Sequence, residues 1–319
     1  MFDMGIDYLS DIGEAEIIRY LTGCFESPKE SGLGIGDDGA VLVQSSPIVA
    51  VADSMIEDVH FSLAFSAARE VGEKLIAVNV SDVAAMGAAP TSALFTFSAP
   101  KSLEWAWARD LIDGVADGAR KYGLSVVGGD VTSSPGPVAL SLTLLGSLYG
   151  EIPLRRDAAQ PGEILYVTGT LGDAALGLQA LMTGSPDPKV VPNAVQALHL
   201  PTARLDEGRK LAVWDGCNCA MDISDGLFQD ASRLAQASGV DMAIELSNLP
   251  INAEVLAMGS SAESYALSGG EDYELLFTAK EPPPFPAVAI GVVSEGNGQV
   301  TYTRNGMLVE PNRTTYSHF

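Results

Sequence analysis

Five short acidic motifs recur along the chain: Gly36-Asp37-Asp38, Ala52-Asp53, Asn79-Val80-Ser81-Asp82, Gly128-Gly129-Asp130 and Met221-Asp222-Ile223-Ser224-Asp225-Gly226. Each ends an apolar stretch or lies beside glycine. A single aspartate beside glycine is an ordinary turn residue. Repeated ones at the ends of apolar runs read as carboxylates held at the rim of a scaffold. If they converge, they repel one another unless hard cations sit between them. That is the chemistry of a magnesium–nucleotide site, and the chain carries no Walker phosphate loop to bind a nucleotide otherwise.

Each motif also has a plainer reading. Gly34-Ile35-Gly36-Asp37-Asp38-Gly39 matches a dinucleotide fingerprint letter for letter. The match is rejected, because paired aspartates stand where a bare pyrophosphate would go and the following residues read as extended. His60, between Val59 and Phe61, is by itself more often a packed or surface residue than a ligand. Asp82 falls near the end of an apolar helix, where a solvated carboxylate is equally at home. Asp130 follows two glycines, which allow close backbone approach to a ligand but also a simple turn. Asp222 and Asp225 flank Ser224 at a strand-to-helix transition, where a helix N-terminus suits an oxygen-rich ligand and capping explains Ser224 equally well. Arg155-Arg156 suits clamping phosphate oxygens or lying on the surface. Gly269-Gly270-Glu271-Asp272-Tyr273-Glu274 joins flexible backbone to carboxylates, and Tyr316, His318 and Phe319 suit packing or ring stacking. The joint occurrence of these signals carries the argument.

The elements that must position them follow from apolar patterning. Ile48–Ala52 reads as a buried strand with Asp53 at its exit. Ala67–Ala88 has helical character, with Val71, Leu75, Val78 and Asp82 at steps of three and four. Thr91–Ser98 reads as a strand, Leu103–Tyr122 as an amphipathic helix closed by Gly123, Leu124–Val127 as a short strand, and Val138–Leu148 as a longer one. This order suits an α+β layer with helices on one face. Gly150–Gly162 reads as the junction, dividing the chain into domains at 1–149 and 150–319. In the second, Ile164–Thr168, Met242–Leu246 and Tyr273–Ala279 read as strands. Leu205–Trp214 and Ser224–Ser238 read as helices, the latter with a Ser-Asp cap, and Gly184–Pro192 as a loop. Two short strands are expected to finish the domain.

Composition bounds the function. With 319 residues and 47% hydrophobic content the chain has ample core for two domains. A formal net charge of -23 disfavours nucleic acid and anionic membrane surfaces as partners. No signal peptide or apolar run of about eighteen residues is evident, so a cytoplasmic protein is expected. Cys24, Cys217 and Cys219 have neither redox-pair nor zinc-site spacing and read as buried or half-buried thiols.

Taken in order, the motifs from Gly34 to the C-terminus resemble the thiamine-monophosphate kinase family, of the superfamily that includes aminoimidazole ribonucleotide synthetase and selenophosphate synthetase. The most specific are Gly34-Ile35-Gly36-Asp37-Asp38, Asp53 through Val59-His60-Phe61, Asn79 through Gly87, Gly128-Gly129-Asp130, Asp222 through Gly226 and Ser268 through Leu275. Gly270-Glu271-Asp272-Tyr273-Glu274 is similar to the kinase branch in particular. The resemblance implies a two-domain aminoimidazole ribonucleotide synthetase-like α+β fold, with N-terminal sheets paired across a homodimer and an α/β-layered C-terminal domain. It implies ATP-dependent phosphorylation of thiamine monophosphate to thiamine diphosphate, with several Mg²⁺ ions and no dedicated catalytic base.

Carried over by motif, the metal ligands would be Asp38, Ala52 through its carbonyl, Asp53, Asp82, Asp130, Asp222 and Asp225. Gly129, Asp130, Arg156 and Ser224 would contact ATP, and His60, Glu271 and Tyr316 the thiamine phosphate. Two departures stand out: Val51-Ala52 replaces the family's usual Ser-Thr pair, and Glu57-Asp58 its usual Glu-Gly. The alternatives are another ATP-using enzyme of the superfamily, such as a selenophosphate synthetase, and a non-catalytic nucleotide or thiamine sensor.

Overall fold

The structure, a computed structural model, describes residues 8–25 and 47–311. The chain groups into two compact units, Met1–Val83 with Pro90–Ser147 and Ala84–Ala89 with Leu148–Phe319. The motif at Gly34–Asp38 and the aromatic residues Tyr316, His318 and Phe319 lie outside the described residues.

The first unit combines helices α1 (Leu9–Ile12), α2 (Glu14–Cys24), α3 (Ala68–Ala85) and α4 (Trp105–Tyr122) with a four-stranded sheet. The strands β1 (Ile48–Ile56), β2 (Ala88–Ala99), β3 (Ser125–Ser133) and β4 (Ala139–Leu148) lie in the order β1-β4-β2-β3. Leu140, Leu142 and Leu144 alternate into the core along β4, the period expected of a half-buried strand. The backbones of α3 and α4 touch: a Cβ on Gly72 would overlap the Leu111 carbonyl, and one on Gly114 the Arg69 carbonyl. Gly123 closes α4 in the left-handed conformation, its N–H returned to Ala119 and Arg120.

Two strands run further than their sequence implies. β1 does not stop at Ala52 but continues through Asp53, opposite Leu142, to Ile56, because the long partner β4 offers pairing over its whole length. β3 does not turn at Gly128-Gly129-Asp130. It pairs with β2 in parallel as far as Ser133, with an irregularity between Ala93 and Leu94 that leaves Val127 unpaired. A bulge of this kind re-aims the side chains that follow it. Gly129 sits opposite Phe95, whose carbonyl fills the place of a Cβ.

The second unit holds a seven-stranded sheet of β5 (Ile164–Val167), β6 (Cys219–Asp222), β7 (Val240–Glu245), β8 (Leu275–Ala279), β9 (Val288–Glu295), β10 (Val300–Arg304) and β11 (Met307–Leu308), ordered β11-β10-β7-β9-β5-β8-β6. The helices are α5 (Asp173–Thr183), α6 (Pro192–His199), α7 (Leu205–Val213), α8 (Leu227–Ser238), α9 (Ala253–Leu256) and α10 (Ala262–Ser268). Val167, Met221, Leu227, Leu234, Ile244 and Leu276 share one continuous core. The helix expected from Ser224 begins instead at Leu227, after Gly226 at φ 101°. Cys217 and Cys219 are buried and Cys24 half-buried, all as free thiols. Burial pushes the Cys217 thiol up to about 12, out of reactive range. Among the described residues no helix is long and apolar enough to cross a membrane.

Candidate functional site

In the first unit the structure brings Asp53, Asp82 and His60 together with Asn79. Asp82 is in the last turn of α3, three residues beyond Asn79 and so on the same helix face. The fully buried Asn79 donates to the Leu75 carbonyl at 2.9 Å and accepts the Asp53 N–H at 3.1 Å, tying the helix to the strand. Burial raises the Asp53 carboxyl above the ordinary range, opposed by the nearby His60 and by a side-chain hydrogen bond with Asp82. Neighbouring carboxylates repel unless a proton or a cation lies between them. His60 Nδ1 accepts the Ile56 N–H at 3.1 Å, which fixes the ring beside β1. The loop that carries it turns at Asp58, whose φ of 62° is a left-handed conformation natural to glycine. Ala52 lies in β1 opposite Thr143, and the exposed Asp130 in β3 opposite Thr96.

In the second unit a second cluster forms where β6 meets α8. Asp222 ends β6 and is 6% exposed. The N–H groups of Ser224 and Asp225 both donate to Oδ2 of Asp230, at 3.1 and 3.0 Å. Arg233 Nη1 joins Asp225 at 2.6 Å and Asp230 at 2.8 Å. Burial pushes the Asp230 carboxyl up to about 7, against the backbone hydrogen bond from Asp225 and the charge of Arg233. Asp230 and Asn79 were not singled out from sequence. The signal in the chain for Asp230 is faint, a carboxylate in the first turn of a helix.

The Gly269–Glu274 segment is locked onto this loop by backbone bonds. Glu271 N–H donates to Ser224 O at 2.7 Å and Tyr273 N–H to Ile223 O at 2.8 Å. Glu271 and Tyr273 hold φ of 68° and 51°, left-handed values sustained by those bonds. Both oxygens of Asp272 accept the Gly172 N–H, at 3.0 and 3.1 Å, and desolvation raises its carboxyl well above the usual range. Glu274, 5% exposed, accepts the Thr168 hydroxyl at 2.6 Å and is paired with Arg204. A cavity of about 240 Å³ opens here, lined among others by Thr170, Asp173, Arg204, Glu271, Asp272 and Glu274. Its one guanidinium, Arg204, is already paired with Glu274, so the lining favours a cationic or amino-bearing group over an anion.

The remaining sequence-derived candidates are more dispersed. Arg156 is exposed, its carbonyl taking the Ser238 hydroxyl at 2.9 Å, while Arg155 is tied to Asp157. Asp38 and Tyr316 lie outside the described residues. Among the described residues no three histidine, cysteine or carboxylate side chains converge to hold an ion by themselves. Mg²⁺ is ordinarily held by one or two carboxylates plus substrate phosphates and water, so the Asp53–Asp82 pair and Asp222 each fit as partial donor sets.

Comparison with known proteins matches residues 36–148 to the AIR synthase related protein N-terminal domain and residues 160–303 to the AIR synthase related protein C-terminal domain. The chain is 36% identical over 312 residues to the thiamine-monophosphate kinase of Aquifex aeolicus, covering 95% of this chain and 97% of that protein. It is 34% identical to that of Corynebacterium glutamicum, over 96% and 92%. A solved structure described as AaThiL complexed with AMPPCP and TMP is similar at TM-score 0.77 and 35% identity, over the full length of both chains. The thiamine-monophosphate kinase of Stenotrophomonas maltophilia is similar at TM-score 0.79 and 33% identity, over 92% and 95%. The hydrogenase maturation protein HypE, at TM-score 0.78 and 18% identity over 96% and 99%, shares the fold. On identity sustained across nearly the whole chain, this protein belongs to the thiamine-monophosphate kinase family, with the two-domain fold of AIR synthase related proteins.

Proposed function

We propose that this chain transfers the γ-phosphoryl group of ATP directly to the terminal phosphate of thiamine monophosphate, giving thiamine diphosphate. The observation that carries the reading is the interlock of two loops: Ser224, on the nucleotide side, hands its carbonyl to the N–H of Glu271, on the acceptor side. A relative matched over the full length of both chains has been described with AMPPCP and TMP.

An acceptor phosphate is ionised or nearly so at neutral pH, its second pKa being about 6, so no strong base is required. This accounts for the lack of a dedicated base in the reading. The obstacle is the approach of two polyanions. Mg²⁺, when bound, would supply the charge neutralisation between them. In this reading Asp38, the Ala52 carbonyl, Asp53, Asp82, Asp130, Asp222 and Asp225 hold the ions. Gly129, Asp130, Arg156 and Ser224 orient the nucleotide, and His60, Glu271 and Tyr316 hold the acceptor. The lining around Glu271 suits the cationic thiazolium of the acceptor better than its phosphate. The protein acts in the cytoplasm as a homodimer.

The test is an assay with ATP, Mg²⁺ and thiamine monophosphate, reading thiamine diphosphate. Asp130→Asn and Asp222→Asn are each expected to cut turnover by orders of magnitude with the melting temperature preserved, and near-normal rates in both would sink the metal assignment. Val51-Ala52, in place of the Ser-Thr pair expected from the family resemblance, favours a second reading as a sensor. Tight binding of both ligands without product would select it. Light scattering of a monomer alone would remove the dimer.

A further inference from the structure

We propose that Asp230 is the positioning residue of the nucleotide side, holding the Asp222–Gly226 loop in register with Glu271; this rests on the kinase reading above. Asp230 is fully buried in the first turn of α8, yet its carboxylate turns back past the helix start. One oxygen gathers the N–H groups of Ser224 and Asp225 at 3.1 and 3.0 Å. Arg233, one turn further on, joins the other oxygen at 2.8 Å and Asp225 Oδ2 at 2.6 Å. Both N–H donors of the bend are thus consumed by one side chain, and the peptide planes of residues 223–225 are set by it.

Those planes fix what the loop presents on its other side. With the Ser224 and Asp225 N–H groups turned toward Asp230, the Ile223 and Ser224 carbonyls accept from Tyr273 and Glu271 at 2.8 and 2.7 Å. The chain of bonds therefore runs from Asp230, through the backbone of the metal- and nucleotide-side loop, to the left-handed Glu271 of the acceptor side. A carboxylate fully removed from water is costly unless every lone pair is used. Here that cost secures a loop lacking the helical bonds that would otherwise hold it. Asp230 touches neither substrate in this scheme; it acts through Ser224, Asp225 and Glu271.

Asp230→Asn keeps one oxygen for the two N–H groups but loses the charge that holds Arg233. Asp230→Ala removes both. The probes are AMPPCP with Mg²⁺ in calorimetric titration and the separate KM values for ATP and thiamine monophosphate. The dissociation constant for Mg²⁺–AMPPCP and the KM for ATP are expected to rise about tenfold in Asp230→Asn, the usual worth of a charge-assisted bond, and further in Asp230→Ala. Far-ultraviolet circular dichroism should be preserved in Asp230→Asn.

Folded Asp230→Asn with dissociation constant and KM within twofold of wild type overturns the proposal, even where its melting temperature falls. That pattern marks a purely structural carboxylate. If Asp230→Ala does not fold, Asp230→Asn decides alone. Wild-type protein that binds no Mg²⁺–AMPPCP refutes the kinase reading itself, and this role of Asp230 with it.

Discussion

The carbonyl oxygen of Ser224 lies 2.6 Å from the point where a Cβ on Gly270 would stand. This contact makes glycine necessary at position 270, since any side chain would push apart two loops joined by the Glu271 N–H to Ser224 O bond. Gly270→Ala is therefore expected to destabilise the protein by about 1–3 kcal/mol, the usual range for overpacking. It should also lower kcat/KM at least tenfold, because Ser224 and Glu271 shift together. Urea unfolding read beside steady-state kinetics checks both, and an unchanged kcat/KM would separate the contact from the chemistry.

Asp58 occupies the left-handed region at φ 62°, with its N–H bonded to Phe61 O at 2.7 Å. Aspartate tolerates this conformation better than most residues, glycine better still. Asp58→Gly should be at least as stable as wild type, while Asp58→Val should lose about 1–2 kcal/mol. Thermal unfolding of the two variants distinguishes backbone strain from a role of the carboxylate, which would make both equally damaging.

Glu274 is buried beneath a partly exposed Arg204. Arg204→Ala strands the carboxylate and should cost about 2–3 kcal/mol, somewhat less than a fully buried pair because water reaches the vacated side. Adding Glu274→Gln removes the stranded charge while keeping an acceptor for Thr168, so the double variant should recover part of the loss. Strictly additive losses in urea melts would mean that the two residues do not act as a pair.

Glu245 gathers the Ser247 side chain and the backbone N–H groups of Asn305 and Gly306, the last two at 2.8 and 3.0 Å. The Ser247 bond first, then that of Gly306, holds its carboxyl down at about 2, from a usual 4.5. The folded state thus favours the ionised form. Its contribution is complete above pH 4.5 and is lost as pH falls toward 2. Wild type should lose stability faster than Glu245→Gln across that window, and parallel curves would refute the assignment.

Much of the molecule was legible in the chain. The period of Val71, Leu75 and Val78 put Asp82 near the end of α3, on or beside its apolar face, and there it is half-buried and meets Asp53. Gly123 ended α4 as expected, and the order of motifs was enough to identify the family. Strand ends were less legible, because they depend on the partner. Asp53 lies within β1 because β4 is long enough to pair beyond it, and Asp130 lies within β3 because a bulge lets pairing resume. The start of α8 shifted because Gly226, at φ 101° and ψ 148°, stands outside helical backbone and lets the helix begin only at Leu227.

What the sequence determined by itself was the inventory: which carboxylates, in which order, beside which glycines, and so which family chemistry they suit. Tertiary structure alone decided which carboxylates meet. The Asp53–Asp82 bond, the double capture by Asp230 and the seating of Glu271 on Ser224 all join residues through packing that no local propensity encodes. A side chain's type and period fix the face it occupies. The residue opposite is fixed only when helices and strands bury their apolar surfaces together, and that burial is a property of the whole chain.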